Sequence, residues 1–165
     1  MAQIRGLLQH EAEQVLALWN ENCIAAGTPL PDKALKQILK NLRQYASHKD
    51  AHCLVAEEQN KIIGFVTFCV TSHPVMPGLS GEIEELYVQP QFRRNGIGSE
   101  LVKRAVALMK AQNAGSIHVK MCINNEGSKA FWQHLGWDSD MLVFSIYSDV
   151  PGDPQLQSVW DAITV

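Results

Sequence analysis

The sequence predicts a mixed α/β fold, with a central, mostly antiparallel sheet and helices on its faces. Three observations predict it. Apolar patterns of period two and period 3.6 follow in the order strand, two helices, three strands, helix, strand, helix, strand. A polar turn of hairpin size, Glu58 to Lys61, separates two of the middle strands and implies antiparallel pairing. The second half alternates strand, helix and strand, and such a crossover sets two strands parallel.

Each element has its own signal. Ile4 to Leu8 is a short apolar run that reads as a first strand. Glu11 opens a helix whose stripe is Val15, Leu16, Leu18 and Trp19, with acids in the first turn. Gly27 to Pro31 breaks it, and Pro31 and Asp32 suit the start of a second helix with Leu35, Ile38, Leu39 and Leu42 inward. Lys33, Lys36 and Lys40 read as its solvated face. His52 to Glu57 and Ile62 to Thr71 are the strands of the hairpin. His73 to Ser80 is a loop beside the next strand, Glu82 to Val88. A long helix from Gly98 to about Gln112 buries Leu101, Val102, Ala105, Leu108 and Met109, and Gly115 is expected to cap it. Ile117 to Ile123 is a strand. Glu126 to Leu135 is a helix with Ala130, Phe131 and Leu135 inward and Gly136 as its cap. Met141 to Ser148 is the final strand.

At 165 residues the chain fits one domain, with a core over about 1–148 and a tail, 149–165, whose packing the pattern does not decide. A net charge of -3 gives no global basic field, so no nucleic-acid partner is expected. No apolar run approaches the roughly 18 residues of a membrane span, and the N-terminus has no signal-like apolar region. No membrane partner is therefore expected, and the expected location is the cytoplasm. Cys23, Cys53, Cys69 and Cys122 are far apart, with no CxxC, and read as small buried hydrophobes rather than a disulfide frame or a metal site.

The chain is organised around the stretch from Gly81 to Gly98. A strand ends at Pro90. Two arginines, Arg93 and Arg94, and two glycines, Gly96 and Gly98, lead straight into the long helix. Strand, glycine-rich turn and helix N-terminus make an anion site: backbone N–H groups are free and the helix dipole is positive there. A phosphorylated cofactor suits it.

These residues resemble the GNAT superfamily of acetyl-coenzyme A-dependent N-acetyltransferases. Arg93-Arg-Asn-Gly96-Ile-Gly98 matches its signature, Arg/Gln-x-x-Gly-x-Gly/Ala. Leu86-Tyr-Val88-Gln-Pro90 is similar to the strand end that precedes it, and Asn125, Trp132 and Leu135-Gly-Trp137 to the segment that follows. The resemblance covers the element order to about residue 148. It implies a sheet whose parallel pair splays apart and a cofactor, acetyl-CoA, with no metal. Arg93 belongs to the signature itself. Backbone N–H groups of Arg94, Asn95, Gly96, Ile97, Gly98 and Ser99 would hold the pyrophosphate. Leu86, Tyr87 and Val88 would pair with the pantetheine arm, and Asn125 and Trp132 would meet the cofactor from the other side. An N–H near Val88 would polarise the thioester carbonyl.

The reaction so implied is attack of a neutral primary amine on the thioester, in a ternary complex. An ammonium with a pKa of about 10.4 must first lose a proton. Some family members use a carboxylate on the central strand, which makes Glu84 the first candidate base and Glu85 the second. Alternation puts Glu82 and Glu84 on one face and Glu85 on the other, and a bulge would change this. Trp132 stands where many members carry a tyrosine acid, and Tyr147, Tyr87 and Cys122 are the substitutes at hand. Lys120 stands where enzymes that acetylate protein N-termini often carry a glutamate, which favours a small-molecule amine as partner. A homodimer, common in the superfamily, is the candidate assembly. The competing reading is a non-catalytic module that binds acetyl-CoA or CoA. A nucleotide-binding protein is weaker, because no Lys-Ser/Thr follows the glycines.

Overall fold

In the computed structural model the described residues are 2–47, 52–72, 77–122 and 124–140. The expected final strand, Met141–Ser148, the tail, Tyr147 and residues 73–76 of the expected loop lie outside them. The chain divides into two compact units, Met1–Asn125 and Glu126–Val165, each described by itself.

The first unit carries β1 (Gln3–Gly6), a 3-10 turn (Gln9–Glu11), α1 (Ala12–Ala25), α2 (Asp32–Ser47), β2 (Cys53–Glu58), β3 (Lys61–Ser72), β4 (Leu79–Val88), a second 3-10 turn (Pro90–Phe92), α3 (Ile97–Ala111) and β5 (Ala114–Val119). Strand order follows chain order, β1-β2-β3-β4-β5. The first three pairs are antiparallel and β4–β5 is parallel. This is the mixed, mostly antiparallel sheet with one parallel pair that the sequence predicts.

Local chemistry sets the joints. The β2–β3 hairpin closes through Gln59 and Asn60, with φ of 52° and 63°, the pair of positive angles that a two-residue type I′ turn requires. Leu35 N–H donates to the Pro31 carbonyl at 3.1 Å, so α2 starts at the proline. One face of the sheet carries α1 and α2. Val15, Leu18 and Leu42 pack there on Cys53, Val55, Phe65 and Tyr87, and Trp19 stacks on Phe65 with centroids 5.5 Å apart. The other face carries α3, which buries Leu101, Val102, Ala105 and Met109. A Cβ on Gly81 would lie 2.6 Å from Met109 Sδ, so the glycine lets α3 close onto β4.

Several expectations are corrected. Asn113, with φ of 65°, makes the left-handed turn after α3, and Gly115 lies inside β5. Asparagine tolerates that conformation better than other side chains, so no glycine is needed. The strand is earlier than Ile117–Ile123, because its parallel register on β4 starts at Leu79–Ala114 and ends at Ile83–Val119. Of the four cysteines only Cys53 is buried; Cys122 is exposed.

The second unit begins with α4 (Glu126–His134). It ends as a Schellman cap: Trp137 N–H donates to the Trp132 carbonyl at 3.1 Å, and Gly136, with φ of 82°, donates to the Gln133 carbonyl at 2.9 Å. The Trp132 and Trp137 rings complete the motif, 4.9 Å apart. Trp132 is buried while Ala130 is exposed, the reverse of the expected inward choice at Ala130. The large ring that packs on the cap, not the small alanine, sets the buried side.

Candidate active site

The site starts where β4 outruns β5. The last β4–β5 pair is Ile83–Val119, and from Glu84 to Val88 the strand has β3 alone beside it among the described residues. Gln89 N–H donates to the Ile63 carbonyl at 2.9 Å. By the alternation of an antiparallel ladder, Gln89 and Tyr87 aim their backbone groups at β3, while Leu86 and Val88 aim theirs at the unpaired edge. The Val88 carbonyl is taken by Arg93 Nε at 2.7 Å, and the Arg93 guanidinium lies 5.3 Å from the Tyr87 ring centroid. Arg93 thus pins the turn to the strand.

The turn itself is an amide cradle. Arg94 and Gly96 take φ of 62° and 76°. The helical bonds of α3 begin with Glu100 N–H on the Gly96 carbonyl at 3.0 Å, and no side chain caps the helix. Among the described residues, the N–H groups of Arg94, Asn95, Gly96, Ile97, Gly98 and Ser99 meet no acceptor. Open space lies where a Gly96 side chain would start. The donor set fits a pyrophosphate: adjacent N–H groups, a helix dipole and room for the anion.

A bulge changes the acids. Glu85 faces Thr67 and Ile83 faces Phe68, so the register skips Glu84. The extra residue puts Glu82, Glu84 and Glu85 on the α1–α2 face together, where strict alternation separates Glu85 from the other two. Asn22 of α1 donates Nδ2 to Glu85 Oε1 at 2.7 Å. Tyr45 of α2 donates its hydroxyl to Glu84 Oε2 at 3.0 Å. Lys120, just past β5, holds Glu82 at 2.9 Å.

Their electrostatics differ. Glu84 is exposed. Glu85 is half-buried, and burial pushes its carboxyl above the usual range against the opposing pull of the Asn22 bond. The neighbouring thiols are raised: Cys69 to about 11, by burial first and then by Glu84, and Cys23 by burial and by Glu85. Tyr87 is pushed up to about 12 by burial and by Glu21, to which its hydroxyl donates at 2.7 Å. That makes Tyr87 a weak proton donor. Cys122 is exposed, and Tyr147 lies outside the described residues.

The other named residues sit as follows. Asn125 directly precedes α4, at its N-cap position, and its N–H donates to the Cys122 carbonyl at 2.9 Å. Trp132 lies in α4 of the second unit, edge-on to Phe131 with centroids 5.2 Å apart. Reading the sequence misses Glu21, Asn22, Tyr45 and Thr67. They come from α1, α2 and β3, and only the folded register brings them to β4. A groove on α2, lined by Lys36, Lys40, Arg43 and Gln9 among others, includes no residue of β4 and no carboxylate. Among the described residues there is no metal-binding cluster.

The model of the acetyltransferase (GNAT) family matches residues 12–137, and the chain belongs to this family. An uncharacterised N-acetyltransferase of Methanocaldococcus jannaschii is 29% identical over 90 residues, 54% of this chain and 40% of that protein. The human N-alpha-acetyltransferase 30 is 28% identical over 95 residues, 58% of this chain and 26% of that protein. The matched stretch thus spans less than half the length of either relative. Among solved structures, an aminoglycoside N-acetyltransferase in complex with CoA superposes with a TM-score of 0.75 at 16% identity, over 91% of this chain and 96% of that one. A transcriptional regulator of Bacillus halodurans superposes with a TM-score of 0.77 at 18% identity, over 89% and 99% of the two chains. These likenesses are of fold.

Proposed function

We propose that the chain transfers an acetyl group from acetyl-CoA to a primary amine of a small molecule, by direct attack in a ternary complex. The unpaired edge of β4, leading into an uncapped α3, is the observation that carries this reading. An extended amide chain adds to such an edge as one more strand, and a pyrophosphate then meets the N–H groups of Arg94 to Ser99. Bound acetyl-CoA supplies the electrophilic thioester. The Val88 N–H is the donor suited to its carbonyl oxygen.

Glu85 is the general base in this reading, ahead of Glu84. A half-buried carboxylate with a raised pKa is a better acceptor for an ammonium proton than an exposed one. It takes the ammonium proton, so that the neutral nitrogen can bond to the thioester carbon; the C–S bond then breaks, CoA leaves as thiolate, and the remaining nitrogen proton passes to solvent. Glu84, held by Tyr45, attracts the cationic acceptor. The aminoglycoside N-acetyltransferase among the fold neighbours supports a small-molecule amine. Lys120 pairs with Glu82, while Glu84 and Glu85 are met by the neutral Tyr45 and Asn22 and by no cation among the described residues, which suits them to a cationic acceptor.

A second reading, a CoA-binding module without turnover, is favoured by one observation. Trp132 has no hydroxyl, and Tyr87 is engaged with Glu21. The leaving thiol, with a pKa of about 8.5, departs as thiolate without an acid, so the first reading stands. Thermal stabilisation by acetyl-CoA, with none by ATP or NAD, is the expected outcome. Stabilisation by the nucleotides and not by acetyl-CoA would sink both readings.

A further inference from the structure

Glu21 of α1 has no part in the reaction as proposed, yet it meets both residues that flank Val88. The Tyr87 hydroxyl donates to Glu21 Oε1 at 2.7 Å, and Gln89 Nε2 donates to Oε2 at 3.4 Å. Residues two apart on a strand share a face, so one carboxylate can reach the pair. The Tyr87 bond is short and charge-assisted, and it carries the link; the Gln89 bond is long and adds less. The helix gives no reason for an acid here. Glu21 lies one turn from the C-terminal end of α1, where the dipole does not favour negative charge.

The link continues beyond Tyr87. The Arg93 guanidinium rests 5.3 Å from the centre of the Tyr87 ring, and Arg93 Nε donates to the Val88 carbonyl at 2.7 Å. A phenol that donates to a carboxylate is richer in electrons, which strengthens its hold on a cation over its face. The N–H and carbonyl of Val88 point to the same edge, and Arg93 takes the carbonyl. That leaves the N–H as the group this residue presents there. On the other side β4 lies hard against β3. A Cβ on Gly64 would stand 2.8 Å from the Tyr87 carbonyl oxygen and 3.1 Å from Val88 Cγ2.

We infer that Glu21 is a positioning residue for the thioester donor: through the Tyr87 hydroxyl, and through the Arg93 that rests on the Tyr87 ring, it fixes the Val88 peptide at the edge of β4. Gly64 seats the strand on the β3 side, Arg93 holds the carbonyl, and Glu21 holds the side chain between them. Tyr87 is 3% exposed while Glu21 is exposed, so the clamp joins a buried ring to a surface carboxylate that can be changed without opening the core.

The inference rests on the reading of the Val88 N–H as the donor to the thioester, and one experiment separates the two. Acetyl-CoA and CoA differ only in the acetyl group, so the ratio of their affinities, read by calorimetry, reports on that donor without turnover. Wild type should bind acetyl-CoA more tightly than CoA. E21A and Y87F should each lose most of this preference, with CoA affinity within about twofold of wild type. Their kcat should fall by about tenfold to a hundredfold, the effect of a small misplacement beside the reacting atoms. E21A/Y87F should be no worse than either single variant, since all three break one link. E21Q keeps an acceptor for the hydroxyl and should stay near wild type. An unchanged preference in E21A and Y87F overturns the inference, and so does an equal loss of both affinities, which marks a merely structural contact. An E21Q variant that falls as far as E21A also overturns it, because charge and not the link to Tyr87 is then at work. A wild type that binds CoA and acetyl-CoA alike removes Val88 as the thioester donor, and the role of Glu21 goes with it.

Discussion

Glu11 and Glu85 lie at opposite ends of α1 and answer to opposite rules. Glu11 is 7% exposed and saturated. Arg5 meets it with two nitrogens, at 2.6 and 2.8 Å, and also reaches Glu57, while Leu8 N–H adds a bond at 3.0 Å. The hydrogen bond from Arg5 holds the Glu11 carboxyl below the usual range. Glu85 has one neutral donor, Asn22, and burial pushes it the other way. The first carboxylate is a clamp that ties β1 and β2 to the start of α1. The second keeps the capacity to take a proton. Saturation by a cation, more than depth, separates a structural acid from a candidate base.

The comparison is broken most sharply at Arg5. R5M leaves Glu11 and Glu57 without their cation. Denaturant unfolding should show a loss of about 2–3 kcal/mol, below the range for a fully buried pair because a quarter of the Arg5 side chain meets solvent. E85Q should cost little in the same measurement. A stable R5M would mean that the clamp is ornamental and the contrast false.

G96A tests the cradle. Space exists for the added carbon, so the cost is the left-handed backbone, about 1–2 kcal/mol. Acetyl-CoA affinity should fall with it, read by calorimetry, while a change at exposed Lys36 should leave that affinity alone.

The smallest expected effect is also the most specific to the comparison. Glu11 has a depressed folded pKa, so its stabilisation is present above the unfolded value of about 4.3 and is lost as pH falls through the folded one. E11Q should therefore be less stable than wild type at pH 7, with the gap closing in acid. Glu85 has a raised folded pKa. Its contribution is fully present below the unfolded value and is lost as pH rises through the folded one. E85Q should gain on wild type as pH rises from 4 to 7. Thermal melts across that range read both signs, and parallel curves for the two variants would erase the distinction.

Most of the fold was legible because its signals are local. Periodicity placed both ends of α3 within a residue and the start of α2 at Pro31–Asp32, and the polar turn at Gln59–Asn60 announced the hairpin. The turn ahead of α3 was legible too, since Gly96 and Gly98 stand directly before an amphipathic pattern. What could not be read depends on register. Nothing in Glu82-Ile-Glu-Glu85 says that the ladder skips Glu84, because the skip is set by how β3 lies beside β4. Asn22 meets Glu85 across 63 positions of chain, and only the docking of α1 on the sheet brings them together. Asn113 in place of Gly115 shows the limit of a rule that a second residue type also satisfies.

The central claim is that Glu85 is the base of an acetyl transfer, and release of CoA thiol with a panel of primary amines tests it most directly. Wild type should turn over at least one cationic amine. E85Q should lose about two orders of magnitude in kcat with acetyl-CoA binding unchanged, and E84Q should change mainly KM. No turnover with any amine despite tight acetyl-CoA binding, or an E85Q variant as fast as wild type, would contradict it.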